Sequence, residues 1–227
     1  MVKGFIVEHS NVVVDNVNFV QMFGRLENNE SFVALVKFDP YFYVKESDIT
    51  EIEDVLGEFN VEKEQVKLKS FSDEAVAKLT FNLQVDLNKC RHEIHKKGAD
   101  TFEADLKPSF RFLLDNDIYT SIEIDGDFES GELVDRVYWN PEIKSIDFRP
   151  NLKILSLDIE TGAKGELFCI GLYSKGYKKC FINKKKSEKK FVVSCETEEE
   201  LLEEFKKEFL SFDADVVTGW NVIDFDF

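Results

Sequence analysis

Short β-rich runs open the chain. Phe5-Ile6-Val7, Val12-Val13-Val14, residues 19–26 and residues 32–38 are rich in the β-branched and aromatic side chains that strands favour, with turn formers between them. Glu27-Asn28-Asn29-Glu30 predicts a hairpin turn between the last two runs, and Tyr41-Phe42-Tyr43-Val44 predicts a further strand. An antiparallel sheet or partial barrel fits this succession. From Ser47 the spacing changes: Ile49, Ile52, Val55 and Leu56 recur at helical intervals, with Gly57 as a stop. Strands at 66–69 and 75–81, then a helix over 86–97 ending before Gly98, predict a small α+β subdomain on the first sheet. Ser109 is expected to cap a short helix with Phe110, Leu113 and Leu114 inward. Residues 118–124 and 134–139 read as strands, and Asn140-Pro141 opens a linker running to Pro150.

Beyond the linker the pattern sharpens. Strands over 153–159, 166–173 and 177–183, joined by turns at 162–165 and Gly176, make an antiparallel meander. Thr197 caps a helix with Glu200 as its capping-box partner, and Leu201, Leu202, Phe205, Phe209 and Leu210 form the expected inward stripe. Asp213-Ala214-Asp215 ends the helix, and residues 216–221 begin another strand. Three meander strands, a crossing helix and a following strand are the opening of a ribonuclease H-like α/β domain. The expected fold class is therefore α+β / α/β. A β-rich amino-terminal domain with its small α+β subdomain (residues 1–147) precedes a truncated ribonuclease H-like domain (residues 148–227).

Composition narrows the function classes. A chain of 227 residues that is 43% hydrophobic and 33% charged has the material for a globular core. A net charge of −16 argues against gripping nucleic acid along the whole surface, but leaves room for a local basic groove or a metal site. The amino terminus turns charged too soon for an export signal, and no run is long enough to span a bilayer. Cys90, Cys169, Cys180 and Cys195 are scattered without a Cys-x-x-Cys pair, so reduced thiols and a cytoplasmic location are expected. His92 and His95, near Cys90, lack a fourth ligand at sensible spacing and predict a solvated helix face.

The chemistry concentrates in Leu155-Ser156-Leu157-Asp158-Ile159-Glu160-Thr161. Alternate side chains of a strand share a face, so Asp158 and Glu160 point the same way, about 7 Å apart along the backbone. Two like charges on a largely buried strand are costly unless neutralised, and a divalent cation does this best. The alternative is a strand end where both acids face water. A second acidic cluster, Asn221-Val222-Ile223-Asp224-Phe225-Asp226-Phe227, follows a strand expected to neighbour the first. Asp158, Glu160 and Asp226 converging from two strands would hold Mg2+ or Mn2+ through oxygen ligands. Two such ions about 4 Å apart activate a water and stabilise the leaving oxygen of a phosphodiester.

Here the chain resembles a known family. Asp158-Ile159-Glu160-Thr161 is similar to the first exonuclease motif of family B DNA polymerases, and Gly219-Trp220-Asn221-Val222-Ile223-Asp224-Phe225-Asp226 to the second. Phe102-Glu103-Ala104-Asp105 and residues 165–172 resemble the bacterial DNA polymerase II branch. The resemblance implies a 3′–5′ proofreading exonuclease. Asp158 and Asp226 would bind metal, and Glu160 would bind one ion and help position the attacking water. Asn221 would lie near the frayed 3′ end, while Asp224 matches no ligand and would be solvated or capping. Lys184, Lys185 and Lys186 belong to a lysine-rich run that would touch a phosphate backbone, or else form a solvated hairpin.

The family's third motif, Tyr-x-x-x-Asp, and the palm acids of a polymerase do not occur in this sequence. The chain is thus expected to be an amino-terminal fragment, monomeric and inactive by itself. Its parent would use primer-template DNA and deoxynucleotides in replication or repair. Two other readings stay open: a template-DNA-binding module without catalysis, and a stand-alone ribonuclease H-like exonuclease.

Overall fold

The computed structural model describes residues 1–220 and Val222. The chain divides into two compact units, Met1–Pro150 and a second from Asn151 onward. In the first unit, chain order is β1 (Val2–Val14), β2 (Val17–Leu26), β3 (Ser31–Lys37), β4 (Tyr41–Lys45), α1 (Glu53–Leu56), β5 (Val61–Lys69), β6 (Ala75–Phe81) and α2 (Gln84–Lys96). There follow β7 (Thr101–Phe102), α3 (Pro108–Asp115), β8 (Ser121–Asp125), β9 (Phe128–Glu129), β10 (Arg136–Trp139) and β11 (Glu142–Ser145). Among the described residues these strands form a seven-stranded sheet, β11-β8-β1-β2-β3-β10-β9, and a four-stranded sheet, β5-β6-β4-β7.

The two runs expected at 5–7 and 12–14 are one strand of 13 residues. A bulge between Ile6 and Glu8 absorbs the change of register against β2. Asp15 and Asn16, at φ of 50° and 60°, supply the left-handed two-residue turn that a tight hairpin needs. Gly24 sits where the bulge brings β1 close: a Cβ there would lie 1.9 Å from the Phe5 carbonyl oxygen and 2.7 Å from the Phe32 ring. Backbone cannot give way as a side-chain tip can. Gly24→Ala is therefore expected to destabilise the first unit by about 3 kcal/mol or more, read as a lowered thermal midpoint by circular dichroism. An unchanged midpoint would contradict this packing.

Three expectations change. The helix over 47–56 is a 3-10 turn (Glu46–Asp48) followed by the four-residue α1, and no side chain caps either piece. Its apolar residues Ile52, Val55 and Leu56 are buried as their spacing predicts. In α3, Pro108 rather than a capped Ser109 takes the first position, with Lys107 as the capping residue. The Ser109 N–H donates to Asn11 Oδ1 at 2.8 Å. The inward face is then Ser109, Phe112 and Leu113, and Phe110 and Leu114 are 51% and 61% exposed. Arg111 shares the buried face, donating to Glu103 at 2.5 Å and lying 4.7 Å from the Tyr41 ring centroid. Lastly, the expected linker contains β11, which pairs antiparallel with β8.

Cys90 is buried on α2 while His92 is exposed, and His95 Nε2 lies 2.8 Å from the Thr101 hydroxyl. Cys90 is thus set apart from His92 and His95, which border one exposed depression with Asn88 and Arg91. No helix among the described residues is long and apolar enough to cross a membrane.

The second unit contains β12 (Ile154–Thr161), β13 (Leu167–Ser174), β14 (Tyr177–Asn183), β15 (Val192–Cys195), α4 (Glu198–Phe212) and β16 (Val216–Thr218). The sheet order is β15-β14-β13-β12-β16, with the three meander strands antiparallel. Both outer strands run parallel to their neighbours. Thr197 Oγ1 accepts from the Glu200 N–H at 3.1 Å, and Glu200 reaches back to the N–H of Glu196 at 2.7 Å. Leu201 is fully buried, and Phe205, Phe209 and Phe212 continue its stripe at helical intervals. Leu202 and Leu210, expected inward, stand off the flank of that stripe at 50% and 65% exposure.

Glu208 fastens α4 to β14. It accepts from the Tyr177 hydroxyl at 2.8 Å and pairs with the Lys179 ammonium. The hydrogen bond from Lys179, helped by that from Tyr177, holds the Glu208 carboxyl below its usual value of 4.5. A lowered folded-state value means stability fully present above 4.5 and lost as pH falls through the lowered value. Glu208→Gln is accordingly expected to flatten the acid limb of thermal stability against pH. An acid limb as steep as that of the unaltered chain would contradict it.

Candidate active site on an interior strand

The site begins with the alternation of β12. Leu155 and Leu157 are buried with Ile170, Leu172, Phe181 and Leu201 in the core beneath α4. Period two then puts Ser156, Asp158 and Glu160 on the opposite face. Asp158 lies across from Gly171, which lies across from Cys180; Glu160 lies across from Cys169 and then Ile182. Both carboxylates are exposed although their strand is interior to the sheet. Among the described residues neither has a lysine or arginine within 4.0 Å. Two unpaired carboxylates sharing an open face leave hard oxygen donors available.

The surroundings are small and sulfur-bearing. Burial pushes the Cys169 thiol up, and the adjoining Cys180 thiol and the charges of Glu160 and Asp158 add to the shift. Beyond Glu160 the register slips between Glu160 and Thr161. The turn closes with the Gly162 N–H donating to the Glu166 carbonyl at 2.7 Å. Gly165, at φ +84°, occupies a conformation that L side chains rarely adopt.

β16 runs parallel to the first half of β12, from Ile154 opposite Val216 to Ser156 opposite Thr218, so it heads toward the acid pair. Gly219 comes next, and a Cβ there would lie 2.3 Å from the Leu157 carbonyl oxygen. The close approach of the two segments, one residue short of Asp158, thus depends on glycine. The sequence signal for this role is a glycine placed at the end of a strand pattern. Asn221, Asp224 and Asp226 lie outside the described residues, and so does the expected meeting of Asp226 with Asp158 and Glu160. Among the described residues no three His, Cys, Asp or Glu side chains are grouped to hold a metal ion.

Lys184, Lys185 and Lys186 are exposed between β14 and β15. Lys184 follows Ile182, the row of Glu160, by two residues, so the run leaves the sheet at the end that bears Glu160. Two strand spacings, about 10 Å, separate β14 from β12. The structure places these lysines at the same end as the acids, not beside them.

An antiparallel meander, a helix over one face and a carboxylate pair on the other make up an α/β unit with an acidic open face. Residues 99–227, more than half of the chain, match the family model described as DNA polymerase family B, exonuclease domain, and the chain belongs to that family. DNA polymerase II of Escherichia coli (strain K12) is 28% identical over 207 residues, covering 88% of this chain and 26% of that protein. A DNA polymerase of Archaeoglobus fulgidus is 26% identical over 242 residues, covering 99% of this chain and 29% of that protein. The solved family B DNA polymerase from the hyperthermophilic archaeon Pyrobaculum calidifontis superposes with a TM-score of 0.76 at 20% identity, over 99% of this chain and 31% of that one. The chain therefore spans only about a quarter to a third of the length of these proteins.

Proposed function

We propose that this chain is the amino-terminal part of a longer DNA-directed DNA polymerase and that its second unit begins a 3′–5′ proofreading exonuclease. The observation that carries this reading is the unpaired Asp158–Glu160 pair on the open face of an interior strand. Hard oxygen donors without a cationic partner suit Mg2+ or Mn2+, and Asp226 supplies a third carboxylate. When bound, such ions supply an activated water and neutralise charge on the leaving oxygen. Asp158 and Asp226 would hold the metal, and Glu160 would also orient the attacking water. Asn221 lies near the single-stranded 3′ end, and Lys184, Lys185 and Lys186 meet its phosphates. The longer protein extends primers with deoxynucleotides and excises mismatched ends in DNA replication or repair, in the cytoplasm.

The test is a labelled single-stranded DNA incubated with a form of the protein extending past residue 227. Stepwise shortening from the 3′ end is expected with Mg2+ or Mn2+ and not with chelator. Glu160→Gln is expected to raise the cation concentration needed for half-maximal rate. Shortening that persists in chelator would contradict the reading.

A further inference from the structure

The sheet face that carries Asp158 also holds a shallow depression of about 280 Å3, lined by Ser156, Asp158, Gly171, Tyr173, Lys178 and Phe191. Ser156, Tyr173 and Lys178 form one row across three strands, and Asp158, Gly171 and Cys180 form the next. Gly171 makes the floor. A Cβ there would meet only the Asp158 carbonyl oxygen, at 3.8 Å, so neither packing nor backbone angle demands glycine at this position. Its effect is to leave the space over the sheet open, as expected where a ligand approaches a strand closely.

The wall farther from Asp158 is aromatic and cationic. Tyr173 is 64% exposed. Lys178 Nζ stands 4.6 Å from the Phe191 ring centroid, and Lys189 Nζ stands 5.8 Å from it. Among the described residues neither lysine has a carboxylate within 4.0 Å. Two unpaired cations over an aromatic ring are a local exception in a chain of net charge −16. Aromatic platforms beside cations are how proteins hold single strands: each base offers a face to stack, and each phosphate meets a cation. The volume falls just below the range of small-molecule pockets, about 300–1,000 Å3, which suits one flattened base and not a duplex.

We propose that this depression is a nucleotide subsite of the exonuclease. A base of the single-stranded 3′ end stacks on Tyr173, with the adjoining phosphates against Lys178 and Lys189, so the strand is aligned toward the acid pair at the other end. The proposal rests on the exonuclease reading above and names the residues that position the substrate for it. Tyr173, Lys178 and Phe191 are positioning residues; none touches the bond that breaks.

The experiment uses this 227-residue chain with an oligothymidylate carrying 5-bromouracil, irradiated in chelator and mapped by mass spectrometry. Adducts are expected on Tyr173 or Phe191. Tyr173→Ala should lower adduct yield at least about fivefold, whereas Tyr173→Phe, which keeps the stacking face, should retain it. Lys178→Glu should lower yield and flatten its salt dependence, and filling the floor with Gly171→Val should also lower it. Lys206→Glu, on α4 beneath the other face, should leave yield unchanged, and thermal midpoints identify any variant that fails to fold. Adducts only elsewhere, or a yield indifferent to Tyr173→Ala, would overturn the subsite, including the case where a later segment of the polypeptide covers this face. Tyr173 adducts without excision by a longer form would leave the subsite standing and remove the exonuclease reading. Excision without such adducts would do the reverse.

Discussion

Purified alone, this 227-residue chain is expected to leave labelled single-stranded DNA at full length in Mg2+ or Mn2+. The expectation comes from counting ligands. Holding two divalent ions against their mutual repulsion takes several carboxylate oxygens, and the described residues supply Asp158 and Glu160 alone on the shared face. Asp226 adds a third carboxylate. The Tyr-x-x-x-Asp of the family pattern would have to come from further along a longer protein. Without it the attacking water would be neither fully activated nor fixed, and displacement of a reacting group by about 1 Å already costs on the order of 100-fold in rate. A sequencing gel with single-nucleotide resolution reads the outcome. Ladder-like shortening by the chain, lost on Asp158→Ala, would mean that the acids it carries suffice.

Asp158→Ala in a longer form is expected to lower excision by at least about 100-fold while sparing synthesis and fold. Asp158 is exposed and carries no ion pair among the described residues, so its removal costs the sheet about 0.5 kcal/mol or less. The strand itself is held by Leu155 and Leu157 on the other face, which the substitution leaves untouched. Loss of a ligand is distinguished from loss of fold by single-turnover excision rates across a range of Mg2+ concentrations. Rates that stay depressed at saturating Mg2+, with an unchanged thermal midpoint, are the expected outcome. An equal loss of synthesis and excision would point to misfolding.

Much of this was legible in the sequence, and the limits have physical causes. The strand bearing Asp158 was readable because Leu155, Leu157 and the acids alternate, and alternation states both the element and the face. The cap at Thr197 was readable because its chemistry is local. Helix faces were read less well: Phe110, Leu114, Leu202 and Leu210 are apolar yet exposed, since a shift of one residue in helix start or stripe rotates each position by about 100°. The short β15 was missed because Val192-Val193-Ser194-Cys195 follows a lysine run and gains its place only by pairing with β14. The need for glycine at positions 24 and 219 arises from carbonyl oxygens distant in sequence, which no local pattern reveals. The aromatic and cationic wall around Phe191 is likewise a product of strand register.

The most direct test of the central claim, that Asp158 and Glu160 form a metal-dependent excision site, is a single primer experiment. A 5′-labelled primer with a mismatched 3′ end, annealed to template in Mg2+, is given to a longer form of the protein and to its Asp158→Ala variant, first without and then with deoxynucleotides. The account predicts that the unaltered protein shortens the primer and then extends it past the mismatch position. The variant should leave the mismatched end in place, and with a matched primer run in parallel it should extend normally. Shortening by the variant at the unaltered rate would contradict the account and locate the excision chemistry away from this strand.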